Sequence, residues 1–184
     1  MVAAMAASVS ALAALALAFA SFRELRQDRR TAQVNLALQS LWRLADEWGS
    51  DDMLDARSEA AASLLADQPS RDVDDVLNFF DEVAVLLDRG MLDEELVWYE
   101  FYWPMANYWF ASQDHVRQAQ KTNPAAWLQL SRLVPRLVEV EKRRHSGTAD
   151  EAVPTKTQMS EFLQAEADSS DRDEDEADVR RTPL

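Results

Sequence analysis

The sequence predicts an all-α protein: a bundle of about five helices behind an N-terminal single-pass membrane helix, with a disordered acidic C-terminal tail. Three observations carry this. Only 3 glycines and 6 prolines interrupt 184 residues, and the apolar positions recur every three or four residues, without the alternation of strands. Residues 1–22 contain no charged side chain and are followed at once by Arg23, Arg26, Arg29 and Arg30. From Ser146 onward the apolar spacing ceases, and Asp171 to Glu176 is almost pure charge. The expected divisions are therefore an anchor over 1–22, a helical domain over 23–145 and a tail over 146–184.

An uncharged run of about 20 residues is long enough to cross a bilayer. The arginines on its C-terminal flank orient it with the N-terminus outside and the bulk of the chain at the cytoplasmic face of the inner membrane, where they meet lipid headgroups. A cleaved signal is the rival reading, since Ala18-Phe19-Ala20 precedes Ser21 in the manner of a cleavage site. No basic residue precedes the apolar run, however, as a signal peptide requires.

The helices follow in order. Val34, Ala37, Leu38, Leu41, Ala45 and Trp48 form one stripe, ended by Gly49 in the C′ role. Ser50 or Asp51 caps a second helix through Met53, Leu54, Ala60, Ala61, Leu64 and Leu65, closed by Gln68-Pro69-Ser70. The third has the clearest period: Val73, Val76, Leu77, Phe80, Val83, Ala84 and Leu87, with Asp72, Asp74 and Asp75 at the positive end of its dipole and Gly90 as its stop. Asp93 caps the fourth, with Leu92 and Val97 at staple spacing. Pro104 is expected to kink or break it before it continues to about Lys121. Asn123-Pro124 reads as the start of the fifth, which presents Trp127, Leu130, Val134, Leu137 and Val138 and is bent by Pro135. In the tail, the acidic composition cannot offset the entropy of ordering, and Thr157 to Ala167 has only transient helical character.

Composition narrows the function classes. The net charge of −14 divides into −7 from 22 acids and 15 bases over 1–145, and −7 from 11 acids and 4 bases over 146–184. Such a chain repels phosphate backbones, so no nucleic-acid partner is expected. There is no cysteine, which excludes disulfides and thiolate metal sites. The two histidines, His115 and His145, lack ligand spacing, and no serine-nucleophile elbow or glycine-rich phosphate loop is present. No catalytic residue, cofactor or metal site is read from the sequence.

Two features stand apart. Arg57 falls within an apolar stripe, where a buried guanidinium needs an acidic partner; Asp81 and Glu100 are the candidates. The pair reads either as a structural tie or as an anion site, and Arg117 invites the same two readings. The second feature is Trp98 to Phe110, in which eight of thirteen residues are aromatic. Trp98, Phe101, Tyr102, Met105, Tyr108 and Trp109 share one helical face, while Tyr99, Trp103 and Phe110 extend it sideways. This helix is either surrounded in the core, pressed on a membrane interface, or the receiver of a protein partner through Tyr99, Trp103 and Phe110.

The order of these features resembles a bacterial family catalogued as domain of unknown function 4760: a membrane helix, Trp48 with Met53 and Arg57, Val76-Leu77-Asn78-Phe79-Phe80-Asp81-Glu82, Gly90-Met91-Leu92-Asp93-Glu94, Trp98 to Trp109, and Arg117. The likeness covers about Arg23 to Glu141. It implies a small helical domain on a single anchor and no activity. Two functions are expected from the residues: a membrane-tethered, non-enzymatic interaction module bound to the lipid bilayer and to a protein partner there, or a small-ligand or anion sensor, or enzyme, built around Arg57.

Overall fold

A computed structural model describes residues 35–145 and 152–169. The chain divides into two compact units, Met1–Gln39 and Ser40–Leu184. In the first, residues 35–39 are helical. The second opens with helical residues 40–48, here α1, followed by α2 (Asp51–Leu65), α3 (Arg71–Asp88), α4 (Glu94–Ala111), α5 (Gln113–Thr122), α6 (Leu128–His145) and α7 (Lys156–Ala167). The described residues contain no strand, as the periodicity predicts.

The expected single-pass anchor is corrected. Among the described residues no helix is long and apolar enough to cross a membrane. The longest, α3, α4 and α6, have 18 residues each. Even α4, the most apolar, carries Glu94, Glu95 and Glu100, and ionised groups at such positions are costly in hydrocarbon. The segment 1–22 and its flanking Arg23, Arg26, Arg29 and Arg30, on which the inner-membrane placement rested, lie outside the described residues.

Local chemistry sets most helix ends. Ser50 caps α2 by accepting from the Met53 amide, and Ser70 caps α3 by accepting from the Asp72 amide. Asp93 caps α4, receiving the Glu95 and Leu96 amides at 2.9 and 3.3 Å, while Leu92 and Val97 beside it are buried, as a staple requires. Gly90 adopts φ 68° with no atom near its missing side chain, so it ends α3 at no steric cost. Helix α1 stops at Trp48, directly before Gly49 as expected, but Gly49 does not adopt the left-handed conformation.

Two boundaries differ from expectation. Helix α4 runs through Pro104 without a break and ends at Ala111, seven residues later, with Ser112 as its C-cap, rather than continuing to about Lys121. Asn123 does start a turn, its Oδ1 accepting the Ala125 amide at 3.2 Å, but α6 begins only at Leu128. Trp127 intervenes with φ 50°, a left-handed conformation rare for a bulky residue. Tertiary contacts hold it there: its Nε1 donates to Asn78 Oδ1 at 2.9 Å, and its ring lies 5.7 Å from that of His115.

The core lies where α3, α4 and α6 meet. All seven expected face residues of α3 are buried, with Phe79 added. Helix α6 contributes Leu130, Leu133, Val134, Leu137 and Val138. In α1 the fully buried residue is Leu44, a position outside the expected stripe. Trp48 joins the core through its ring, 5.1 Å from Phe79 and 4.9 Å from Phe80.

The disordered-tail expectation fails for residues 152–169. Ala152, Pro154 and Leu163 are buried, and α7 packs on α2 and α4. A capping box starts this helix: the Thr155 side chain accepts the Gln158 amide while Gln158 receives the Thr155 amide. Met159, Phe162, Leu163, Glu166 and Ala167 then follow at i, i+3, i+4, i+7 and i+8 and define its inner face. The average acidity of the tail conceals this short amphipathic segment.

Candidate functional site

Arg57 sits on α2 with its side chain 13 % exposed, and so does the carboxylate it meets, Glu166 of α7. Nε and Nη2 donate to the two carboxylate oxygens at 2.7 and 2.6 Å. This is the bidentate geometry in which an arginine–carboxylate pair is strongest. Nη1 donates to the Trp48 carbonyl at 3.1 Å, and the guanidinium carbon lies 4.2 Å above the Trp48 ring. The Tyr108 hydroxyl, from α4, donates to the Arg57 carbonyl at 2.9 Å and lies 3.1 Å from Glu166 Oε2. Burial, reinforced by the Glu166 carboxylate, raises the Tyr108 pKa far above its ordinary value, so the phenol stays a donor.

The expected acidic partners of Arg57 are therefore corrected. Asp81 instead receives the Leu130 amide at 2.8 Å and satisfies one of the free donors at the start of α6. Glu100 is exposed on α4. Arg117 pairs with Asp114 one turn away on the exposed side of α5, an arrangement worth little in water. The sequence signal for Glu166 was its place on the inner face of a short amphipathic run, but nothing local to Arg57 pointed to it.

The interior around this pair is aromatic. Phe162 of α7 meets Tyr108 edge to face at 5.4 Å, and Tyr108 lies 6.4 Å from Trp48. The Ser58 hydroxyl donates to the Ala167 carbonyl at 3.0 Å, and the Tyr102 hydroxyl donates to the Ala152 carbonyl. A bidentate carboxylate, a carbonyl and an aromatic face thus occupy the guanidinium.

Helix α4 resolves the aromatic segment into two sets. Phe101, Tyr102, Met105, Tyr108 and Trp109 are buried. Tyr99 is 79 % exposed and Trp103 46 %, and Leu96, one turn before Tyr99, is 37 % exposed. The spacing of three and four puts Leu96, Tyr99 and Trp103 on one outward stripe. Phe110, the third expected contact residue, is half-buried against the core.

Elsewhere, Glu94, Glu95, Val140, Arg143 and Arg144 line a notch of about 260 Å³ at the α4 start and α6 end. Its charges pair across it: Arg144 meets Glu95 at 2.8 Å, and nearby Arg136 bridges Asp88 and Glu94. His115 Nε2 lies 2.6 Å from Asp74 Oδ1, joining α5 to α3. Among the described residues, no group of three or more His, Asp or Glu side chains is placed to hold a metal ion.

Comparison with known proteins finds one family. The family model described as Domain of unknown function (DUF4760) matches residues 4–137, and so takes in Arg57 and the whole of α4 but stops short of α7. No curated protein and no solved structure matches the chain.

Proposed function

We propose that this chain, which belongs to the domain of unknown function 4760 family, works as a non-enzymatic helical interaction module whose partner-reading surface is the outward stripe of α4. One observation carries the reading: Tyr99 and Trp103 stand exposed beside Leu96 on a helix whose Phe101, Tyr102, Tyr108 and Trp109 fill the core. Large aromatics left in water at helical spacing supply contact area at low entropic cost, and such residues dominate binding energy at protein interfaces. The acidic neighbour Glu100 shares this exposed side and favours a partner with a basic rim. The alternative, a ligand site around Arg57, has the geometry against it, because Glu166 already takes both forks of the guanidinium.

The test is site-specific photo-crosslinking in the native host from a probe at position 99. The expected result is one discrete crosslinked protein, lost when Trp103→Ala is added. An unchanged crosslink pattern with Trp103→Ala, or no crosslink at all, removes the reading.

A further inference from the structure

An arginine is held between a tryptophan ring and a glutamate in two settings. Arg57 lies 4.2 Å from the Trp48 ring and takes the Glu166 carboxylate, with the Trp48 carbonyl as a further acceptor. Arg144, at the end of α6, lies 4.5 Å from the Trp98 ring and meets Glu95 at 2.8 Å. The first setting is largely buried and the second is exposed, but the chemistry is the same. A flat guanidinium lays its face on the indole and turns its N–H groups to the carboxylate.

Helix α4 repeats the exposed arrangement five residues further on. Glu95 and Trp98 are three residues apart, and so are Glu100 and Trp103. Side chains at that spacing are neighbours on a helix surface. The acids at the start of α4 are matched, Glu94 by Arg136 and Glu95 by Arg144. Glu100 is exposed and, among the described residues, meets no cation, and no guanidinium among them covers Trp103. Pro104 adds to the vacancy in charge. It has no N–H to give to the Glu100 carbonyl, so an acceptor without its helical donor lies beside the carboxylate. The Trp48 carbonyl stands in the same relation to Glu166 at Arg57.

We infer that the outward stripe of α4 receives an arginine side chain of a protein partner. Its guanidinium lies on Trp103 and pairs with Glu100, while Leu96 and Tyr99 meet apolar groups beside it. This rests on the reading of the stripe as a partner surface and adds the residue that the surface recognises. Arginine fits better than lysine, because a compact ammonium cannot stack flat on the ring and span two acceptors at once.

The probe is N-acetyl-arginine amide, titrated into the full chain while the tryptophan indole N–H resonances are followed by NMR. The Trp103 resonance is expected to shift saturably. That of Trp98, already covered by Arg144, stays in place. The lysine counterpart of the probe, and Glu100→Gln in the chain, should each weaken binding about threefold or more. Glu100 is exposed, so its replacement leaves the fold intact. No saturable shift at Trp103, an equal shift at Trp98, equal binding of the lysine probe, or unchanged affinity in Glu100→Gln overturns the inference. Adding Glu100→Gln to the crosslinking from position 99 separates the inference from the reading beneath it. The crosslink is expected to fall about threefold or more. A crosslink lost with Trp103→Ala yet kept in full with Glu100→Gln leaves the partner surface standing and removes the arginine. No crosslink at all removes both.

Discussion

Arg57 and Glu166, 109 residues apart, join through two parallel hydrogen bonds of 2.7 and 2.6 Å. Each side chain is 13 % exposed, so this pair lies between a surface ion pair and a fully buried one. Removing one partner strands the other. Glu166→Gln is expected to cost about 2–3 kcal/mol in urea unfolding, below the range for fully buried pairs and above that for exposed ones. The double replacement Arg57→Met with Glu166→Leu should recover most of the loss, because neither charge is then stranded. A double variant as unstable as the sum of the two singles would show that the residues do not act as a pair.

The two aromatic sets of α4 should separate in a stability scan. Phe101, fully buried, is expected to lose about 3–5 kcal/mol on replacement by alanine. Tyr99→Ala should stay within about 0.5 kcal/mol of the parent, as exposed positions do. Thermal melts followed by circular dichroism distinguish these, and a cooperative loss of helix in Tyr99→Ala would place that ring in the core.

Asp81 caps α6 from another helix. Its Oδ1 accepts the Leu130 amide at 2.8 Å. Replacement by alanine leaves that donor unpaired in a half-buried place, and about 1–2 kcal/mol should be lost. The local signature is faster exchange of the first-turn amides of α6. Unchanged protection there would mean that water replaces the carboxylate without loss.

Alkaline pH should weaken the fold through Tyr102. Burial, then the charge of Glu141, pushes its pKa up from 10.0 to about 12. The unfolded chain therefore releases this proton first. The contribution to stability is complete below pH 10 and falls away as pH rises from 10 towards 12. Urea midpoints measured at pH 9, 10.5 and 11.5 should decline, and Tyr102→Phe should flatten part of that decline. An identical slope in the variant would assign the alkaline loss to other groups.

The helical class, the buried faces of α3 and α6 and the caps at Ser50 and Asp93 were legible in the chain itself. These are local properties, set by residues within one or two turns of each other. Pro104 does not break α4, because a helix held on several sides by core contacts tolerates the missing hydrogen bond that would break an isolated one. Trp127 shifted the start of α6 for a like reason: contacts to Asn78 and His115 stabilise a backbone conformation that local preference disfavours.

What the sequence alone determined is therefore the helical class and the apolar faces of α3 and α6, since periodicity and capping act over a few residues. Only the tertiary structure decided that Arg57 meets Glu166 and not Asp81 or Glu100, that Tyr99 and Trp103 face solvent while Phe101 does not, and that residues 152–169 pack. The physical reason is common to all three. Each outcome depends on the groove or face that other helices supply, and the burial available to a short amphipathic run such as α7 does not exist until α2 and α4 have come together.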